Sequence, residues 1–319
     1  MAKQKRMLTG LQPSGVLHLG NYFGAVKPYL QLVEKQSQAE LECFLMVADY
    51  HALTSVRNPD LLRHNIKTIV RDYLTYGIDP ERVVLFQQSA NPDHMELAWI
   101  FNCLVTVPFL QQAHAYKDKV AKGLEANAGL FTYPMLMAAD IVLYDTDIVP
   151  VGEDQRQHIE YAREAVAKFN ATYGETLKAP KEHIMQNVGV VPGLDGKKMS
   201  KSYNNTIPMF ASKDEIATLV KKIVTDSSGE RPENVYALHS LLRPAAELDA
   251  IYKTHHGQYK ALKDLLTEDL EEFMAPLRTA RDGITDTDVE VVLQAGNERA
   301  RAASAATLER VRSVVGIRN

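Results

Sequence analysis

The chain has 319 residues, 45% hydrophobic and 24% charged, which excludes a disordered tail, a fibre or a repeat array and leaves room for two domains. Its 36 basic and 40 acidic residues leave a net charge of −4, so indiscriminate nucleic-acid binding through a large cationic surface is excluded, although a local basic patch is not. Cys43 and Cys103 are too few for a disulfide framework or, alone, for a four-ligand metal site; both lie in apolar runs and read as buried thiols of a reducing compartment.

In chain order, Arg6–Thr9, Cys43–Ala48 and Val83–Gln87 read as short buried strands, with helical spacing over Tyr22–Lys35 and Pro59–Tyr76 between them. Asn58 caps the second helix, Pro59 opens it and Gly77 stops it. Strands alternating with helices predict a parallel sheet covered on both faces. Residues 92–145 read as a helical insertion with a break at 117–123. Ile148–Val151 reads as a further strand, followed by a helix from Gly152 to Phe169 and a Gly-rich, basic loop over 189–206. Beyond 207 the spacing predicts helices only, at 212–226, 245–254, 258–278 and 286–314. The expected fold class is α/β, with the insertion in the sheet domain and an all-α region after it. No apolar run reaches the ~18 residues of a membrane helix, and the start lacks a signal-peptide core, so a cytoplasmic location without membrane contact is expected.

Two segments suit phosphate. GLQPSGVLHLGN (10–21) lies between the first strand and the first helix, where glycines let backbone approach a ligand and a helix start offers free N–H groups. A tight turn would also explain the glycines, but His18 adds a side-chain donor. The loop GLDGKKMSKS (193–202) gathers three lysines and two hydroxyls within six residues. It is either a solvated charge run or a mobile cationic loop that closes on a polyphosphate.

A third segment carries specificity. Tyr133, Met137, Asp140 and Tyr144 fall at i, i+4, i+7 and i+11, one face of a helix that is otherwise apolar. A carboxylate there must be paired. The partner is an arginine from elsewhere, a helix N-terminus, or a donor on a ligand: an indole N–H, a phenol O–H or an ammonium.

HLGN (18–21) followed by KMSKS (198–202) resembles the paired signatures of class I aminoacyl-tRNA synthetases. MAAD with isoleucine after it (137–141), then IVPVGEDQ (148–155) and QH (157–158), resembles the tryptophanyl-tRNA synthetases, as do TGLQPSG (9–15), GNYFGA (20–25) and KKIVTDSSG (221–229). Tyrosyl-tRNA synthetases share the two class signatures, and it is the MAAD string that favours tryptophan. This chain departs from the family at His18-Leu19, at Tyr50 and over 112–115.

The resemblance implies a Rossmann-type doubly wound sheet. Residues 1–207 would be the nucleotide-binding catalytic domain, with a helical dimerisation insertion near 92–130 and the KMSKS loop at 193–206. Residues 208–319 would be a helical anticodon-binding domain, with room for its last helix to pack back on the catalytic domain. It implies a tryptophan–tRNA ligase, a homodimer that uses ATP and Mg²⁺ to form tryptophanyl-adenylate and passes the acyl group to the terminal ribose of tRNA(Trp). His18, Lys198 and Lys201 would be catalytic. Gln12, Pro13, Ser14, Gly20, Asn21 and Lys119 would bind ATP, together with Gly152, Glu153, Asp154, Val190, Met199, Ser200, Ser202 and the two catalytic lysines. Leu8, His51, Tyr133, Met137, Asp140, Val149, Val151 and Gln155 would hold tryptophan. Arg299, Arg301, Arg310, Arg312 and Arg318 give the last helix and tail a basic bias suited to tRNA.

Overall fold

A computed structural model describes residues 4–35, 37, 40–123, 125–151, 156–184, 190–225 and 231–317. Its centre is a sheet of five parallel strands: β1 (Lys5–Leu11), β2 (Leu41–Val47), β3 (Val83–Gln87), β4 (Ile148–Val151) and β5 (Lys181–Ile184), in the order β3-β2-β1-β4-β5. β1 pairs with β2 along its whole length. Among the described residues it pairs with β4 only at Met7 and Ile148, leaving the carboxyl-terminal half of β1 unpaired on that side.

Successive strand residues face opposite sides of a sheet, and here both sides are buried. Met7, Cys43, Leu45, Val83 and Leu85 belong to one apolar core; Leu8, Phe44, Met46, Val84 and Phe86 belong to the other. That explains the unbroken apolar runs of the central strands. The first core includes residues of the Lys27–Lys35 and Pro59–Thr75 helices and of the later Lys213–Lys221 and Tyr259–Asp282 helices. The second is covered by the Asp93–Leu104, Ala128–Val142 and Arg156–Tyr173 helices. Ile207 and Met209 lie fully buried in the first core, so apolar packing continues across the change in sequence character at 207.

Several expectations need correction. β5 was absent from the sequence reading because Lys-Glu-His-Ile carries no apolar alternation; it is an edge strand placed by backbone pairing with β4. The helix expected to break at 117–123 runs from His114 to Ala121, and the turn comes at Lys122 and Gly123, where φ is +67°. The helix expected to end at Phe169 continues to Tyr173, and Gly174 at φ +90° follows it. Its expected start at Gly152 lies outside the described residues. The helix expected over 212–226 ends at Lys221, and a short helix at Glu233–His239 was not foreseen. Cys103 is exposed, not buried. It stands four residues after Trp99 and eight after Met95, both exposed, on the outward stripe of the Asp93–Leu104 helix. Among the described residues no helix is long and apolar enough to cross a membrane.

The Asp286–Val315 helix closes the β3 edge of the sheet. Asn297 accepts the Gln87 N–H at 2.8 Å, satisfying a donor that an open edge would leave free. Gly296 allows the approach: a Cβ there would stand 1.8 Å from the Leu85 carbonyl oxygen. Gly296→Ala is therefore expected to destabilise the fold. The helix-propensity gain of ~1 kcal/mol is outweighed by a backbone clash at the upper end of the ~1–3 kcal/mol typical of overpacking. A denaturant midpoint equal to or above the parent's would contradict this account of the edge.

Candidate active site

The connections leave β1 toward β2 and β3 on one side and return through β4 on the other. That reversal is where open parallel sheets bind ligands, beyond the carboxyl ends of the strands. A cavity of about 900 Å³ lies there, lined by Leu8 to Gln12 from β1 and its exit, Val149 and Pro150 from β4, and Lys198 to Lys201 from the cationic loop.

One end of the cavity is apolar, with a single carboxylate among the described residues that line it. Leu8, Met46, Met137, Ile141 and Val149 line it, with Tyr133, His51 and Asp140. Asp140 is 1% exposed. His51 Nε2 donates to it at 2.8 Å, His94 Nδ1 at 2.6 Å, and the Gln88 side-chain amide at 2.8 Å. Burial pushes the carboxyl pKa up, but the hydrogen bonds from the two histidines outweigh that and hold it below the usual carboxylate range. The partner is thus neither an arginine nor a helix end, but two imidazoles and an amide from three other elements. An ionised carboxylate has about four acceptor positions. The Gln88 nitrogen also reaches the second oxygen, at 3.0 Å, so three donors make four contacts, and a donor on a ligand would share an oxygen with that amide. The Tyr133 hydroxyl shares a hydrogen bond with His158 Nε2 at 3.1 Å. Tyr144, expected on the same helical face, stands in the turn beyond the helix end at Val142, fully buried behind His94, and does not line the cavity.

The other end is polar. His18 is buried, and its Nδ1 has no partner among the described residues. Burial, and then the nearby charge of Lys201, lower its pKa to about 4, so it is a neutral imidazole at pH 7. Asn21 fixes the local backbone by accepting the His18 N–H at 3.1 Å. Gly20 permits the arrangement, because a Cβ there would meet the His18 ring at 3.0 Å and Met199 at 3.2 Å. The KMSKS segment folds down on this turn. Lys201 Nζ donates to the Ser14 carbonyl at 3.2 Å, and the Gly20 N–H points at Met199 Sδ at 3.3 Å. Asn205 braces the loop from beneath: it accepts the Ser200 N–H at 2.8 Å and donates to Asp195 at 2.7 Å and to the Lys198 carbonyl at 3.1 Å. Among the described residues no group of three or more His, Cys, Asp or Glu could hold a metal ion.

The sequence model of the class I tRNA synthetases (W and Y) matches residues 2–281. The chain is 42% identical over 324 residues to the tryptophan–tRNA ligase of Fusobacterium nucleatum, covering 98% of each. It belongs to the class I tRNA synthetases. The tryptophan–tRNA ligase of Rhodopirellula baltica is also 42% identical, over 98% of this chain and 100% of that one. A crystal structure of tryptophanyl-tRNA synthetase from Campylobacter jejuni, complexed with ADP and tryptophan, superposes with a TM-score of 0.88 at 38% identity over 98% of this chain. Tyrosyl-tRNA synthetase from Aeropyrum pernix, at 23% identity and a TM-score of 0.67, shares the fold.

Most residues expected in the synthetase site converge on the one cavity. Gln12, Ser14, His18, Gly20, Asn21, Val190, Lys198, Met199, Ser200 and Lys201 line it, as do Leu8, His51, Tyr133, Met137, Asp140 and Val149. Pro13, Ser202 and Lys119 do not; Lys119 sits in the last turn of the His114–Ala121 helix. Gly152, Glu153, Asp154 and Gln155 lie outside the described residues, and of Val151 only the backbone is described. Gln88, His94 and Asn205 were missed. Gln88 follows directly on the carboxyl end of β3, a position that could have flagged it. His94 shares the buried face of its helix with Leu97, Ala98 and Phe101, and looks like an ordinary core residue in sequence. Tyr50 leaves the polar network intact, because it is its backbone N–H that donates to Gln88, at 3.0 Å.

The His18 shift has a consequence for stability. Folding holds the imidazole neutral, so between pH 6.5 and about 4 the unfolded chain binds a proton that the folded chain refuses. Stability is lost as pH falls through that window. A His18→Asn variant is expected to show a smaller drop in melting temperature from pH 6.5 to 4 than the parent. Parallel melting curves for the two proteins would remove the argument.

Proposed function

We infer that the chain is a tryptophan–tRNA ligase, activating L-tryptophan with ATP and esterifying tRNA. The observation that carries this is the union, in one cavity, of a phosphate-suited polar end with an apolar end that Asp140, an ionised carboxylate, lines as an acceptor. An indole N–H fits that acceptor, and Met137, Met46 and Tyr133 suit a flat aromatic ring. A phenol would need a group that donates to it as well as one that accepts.

In the first step an oxygen of the tryptophan carboxylate attacks the α-phosphorus of ATP. The new O–P bond forms as the bond to pyrophosphate breaks. In the second, a hydroxyl of the terminal ribose of tRNA attacks the acyl carbon, loses its proton and releases AMP. Such chemistry asks for positioning and charge stabilisation rather than a protein nucleophile. His18, with its neutral ring, is assigned a hydrogen bond to phosphate; Lys198 and Lys201 are assigned the charge that develops on departing pyrophosphate. Lys201 must leave the Ser14 carbonyl to do so. The Mg²⁺ in this reading enters with ATP as part of the substrate.

Four arginines of the last helix are engaged within the chain. Arg299 donates to the Pro80 carbonyl at 2.7 Å, Arg301 to the Ala90 carbonyl at 2.7 Å, Arg310 to Asp145 at 2.7 Å and Arg312 to Glu96 at 2.7 and 2.6 Å. They fasten the helix to the sheet domain; Arg318 lies outside the described residues. For tRNA we favour instead the exposed Lys253, His256 and Lys260 around the Gly257 turn. The outward stripe of Met95, Trp99 and Cys103, with exposed Val107 beyond it, supports a homodimer interface, since Trp99 is 71% exposed.

ATP–pyrophosphate exchange across the twenty amino acids tests the main reading, and exchange driven best by tyrosine would overturn it. Asp140→Asn should weaken tryptophan by roughly tenfold, or ~1.5 kcal/mol, and ATP much less, because a hydrogen bond to a charged acceptor becomes one to a neutral amide. Equal losses for both substrates would make Asp140 a structural carboxylate. Trp99→Arg should shift the sedimentation equilibrium from dimer to monomer; an unchanged mass would place the interface elsewhere.

A further inference from the structure

Asp140 is held by a hydrogen-bond chain that reaches the C-terminal helix. The ionised carboxylate only accepts, so His94 Nδ1 carries a proton and donates to it at 2.6 Å. His94 Nε2 shares a hydrogen bond with the Tyr144 hydroxyl at 2.8 Å. The Asn91 side-chain oxygen accepts the Asp93 N–H at 3.2 Å, which turns the amide nitrogen toward Tyr144. That nitrogen donates to the Tyr144 hydroxyl at 3.3 Å and to the Ser304 hydroxyl at 2.9 Å. Ser304, on the Asp286–Val315 helix, is itself anchored on Asp93 at 3.0 Å. Asn91, His94, Tyr144 and Ser304 are all at most 2% exposed.

We propose that His94 is a positioning residue for the amino-acid subsite, its ring set by Tyr144 and, through Asn91, by Ser304. This rests on the tryptophan reading above. His94 does not line the cavity. It acts through Asp140, occupying one acceptor position and fixing how the carboxylate faces the ring N–H of the substrate. Chains of this kind are stiffer than their separate bonds, because each donor is polarised by the next.

The test is a discrimination ratio: kcat/KM in pyrophosphate exchange for tryptophan, divided by that for an analogue with sulfur in place of the indole N–H. The analogue has no donor for the carboxylate, so misplacing Asp140 should harm tryptophan alone. Tyr144→Phe keeps the ring against Phe44 and Phe86, with centroids at 5.1 and 5.3 Å, and removes only the hydroxyl. The ratio should fall by about fivefold, the worth of one neutral hydrogen bond, with the KM for ATP unmoved. A general loss of packing would lower both rates together and leave the ratio alone; that result overturns the proposal. Should Tyr144→Phe fail to fold, His94→Asn and His94→Leu decide. The asparagine amide keeps a donor at the Nδ1 position and should preserve most of the discrimination, whereas leucine should abolish it; equal ratios overturn the proposal. An unaltered enzyme without tryptophan-dependent exchange would instead overturn the tryptophan reading, and this role with it.

Discussion

Everything in this molecule is arranged around the reversal of strand order at β1. Because the chain goes out to β2 and β3 on one side and returns to β4 and β5 on the other, no crossover helix roofs the gap beyond β1 and β4. Among the described residues the carboxyl-terminal half of β1 is left without a partner on the β4 side. That opening sets where the glycine-rich turn exits, where His18 is held and what the cationic loop can fold over. The π-helical turn at Tyr22–Val26, directly after HLGN, belongs to the same place, since Gly24 and Ala25 line the cavity beneath it.

The second constraint is electrostatic. A carboxylate with 1% exposure is tolerated at the apolar end because it is hydrogen-bonded by side chains brought from the ends of β2 and β3 and from the following helix. An arginine would engage the carboxylate with a bidentate fork, whereas here three donor nitrogens from three elements hold it while it still lines the cavity.

The central strands, the first two long helices and the helical character after residue 207 were legible because burial on two faces writes long apolar runs and helix ends write caps: Asn58, Pro59 and Gly77 bound their helix in sequence and in space. The signature residues were legible because phosphate chemistry demands glycine, lysine and hydroxyl types at fixed places on loops. What escaped was set by partners far along the chain. β5 has a sequence that says nothing of a strand, and only the neighbouring backbone makes it one. His94 and Gln88 look like unremarkable core and strand-end residues until Asp140 is placed between them. The last-helix arginines carried the charge of a nucleic-acid surface, but charge alone does not reveal that carbonyls and carboxylates of the sheet domain already engage them.

The closure of β3 by the final long helix bears on how the chain comes to be folded. Asn297 and the Gln87 amide it satisfies are 210 residues apart in sequence. During synthesis the sheet can assemble long before that helix emerges, and a finished but uncovered parallel edge is a template on which another chain can add a strand. The interval between completing β3 and releasing the last helix is thus a period of vulnerability, longer when translation is slow. A messenger truncated before residue 286 would yield a protein with every signature of its active site and an unguarded edge, prone to precipitate rather than to acylate.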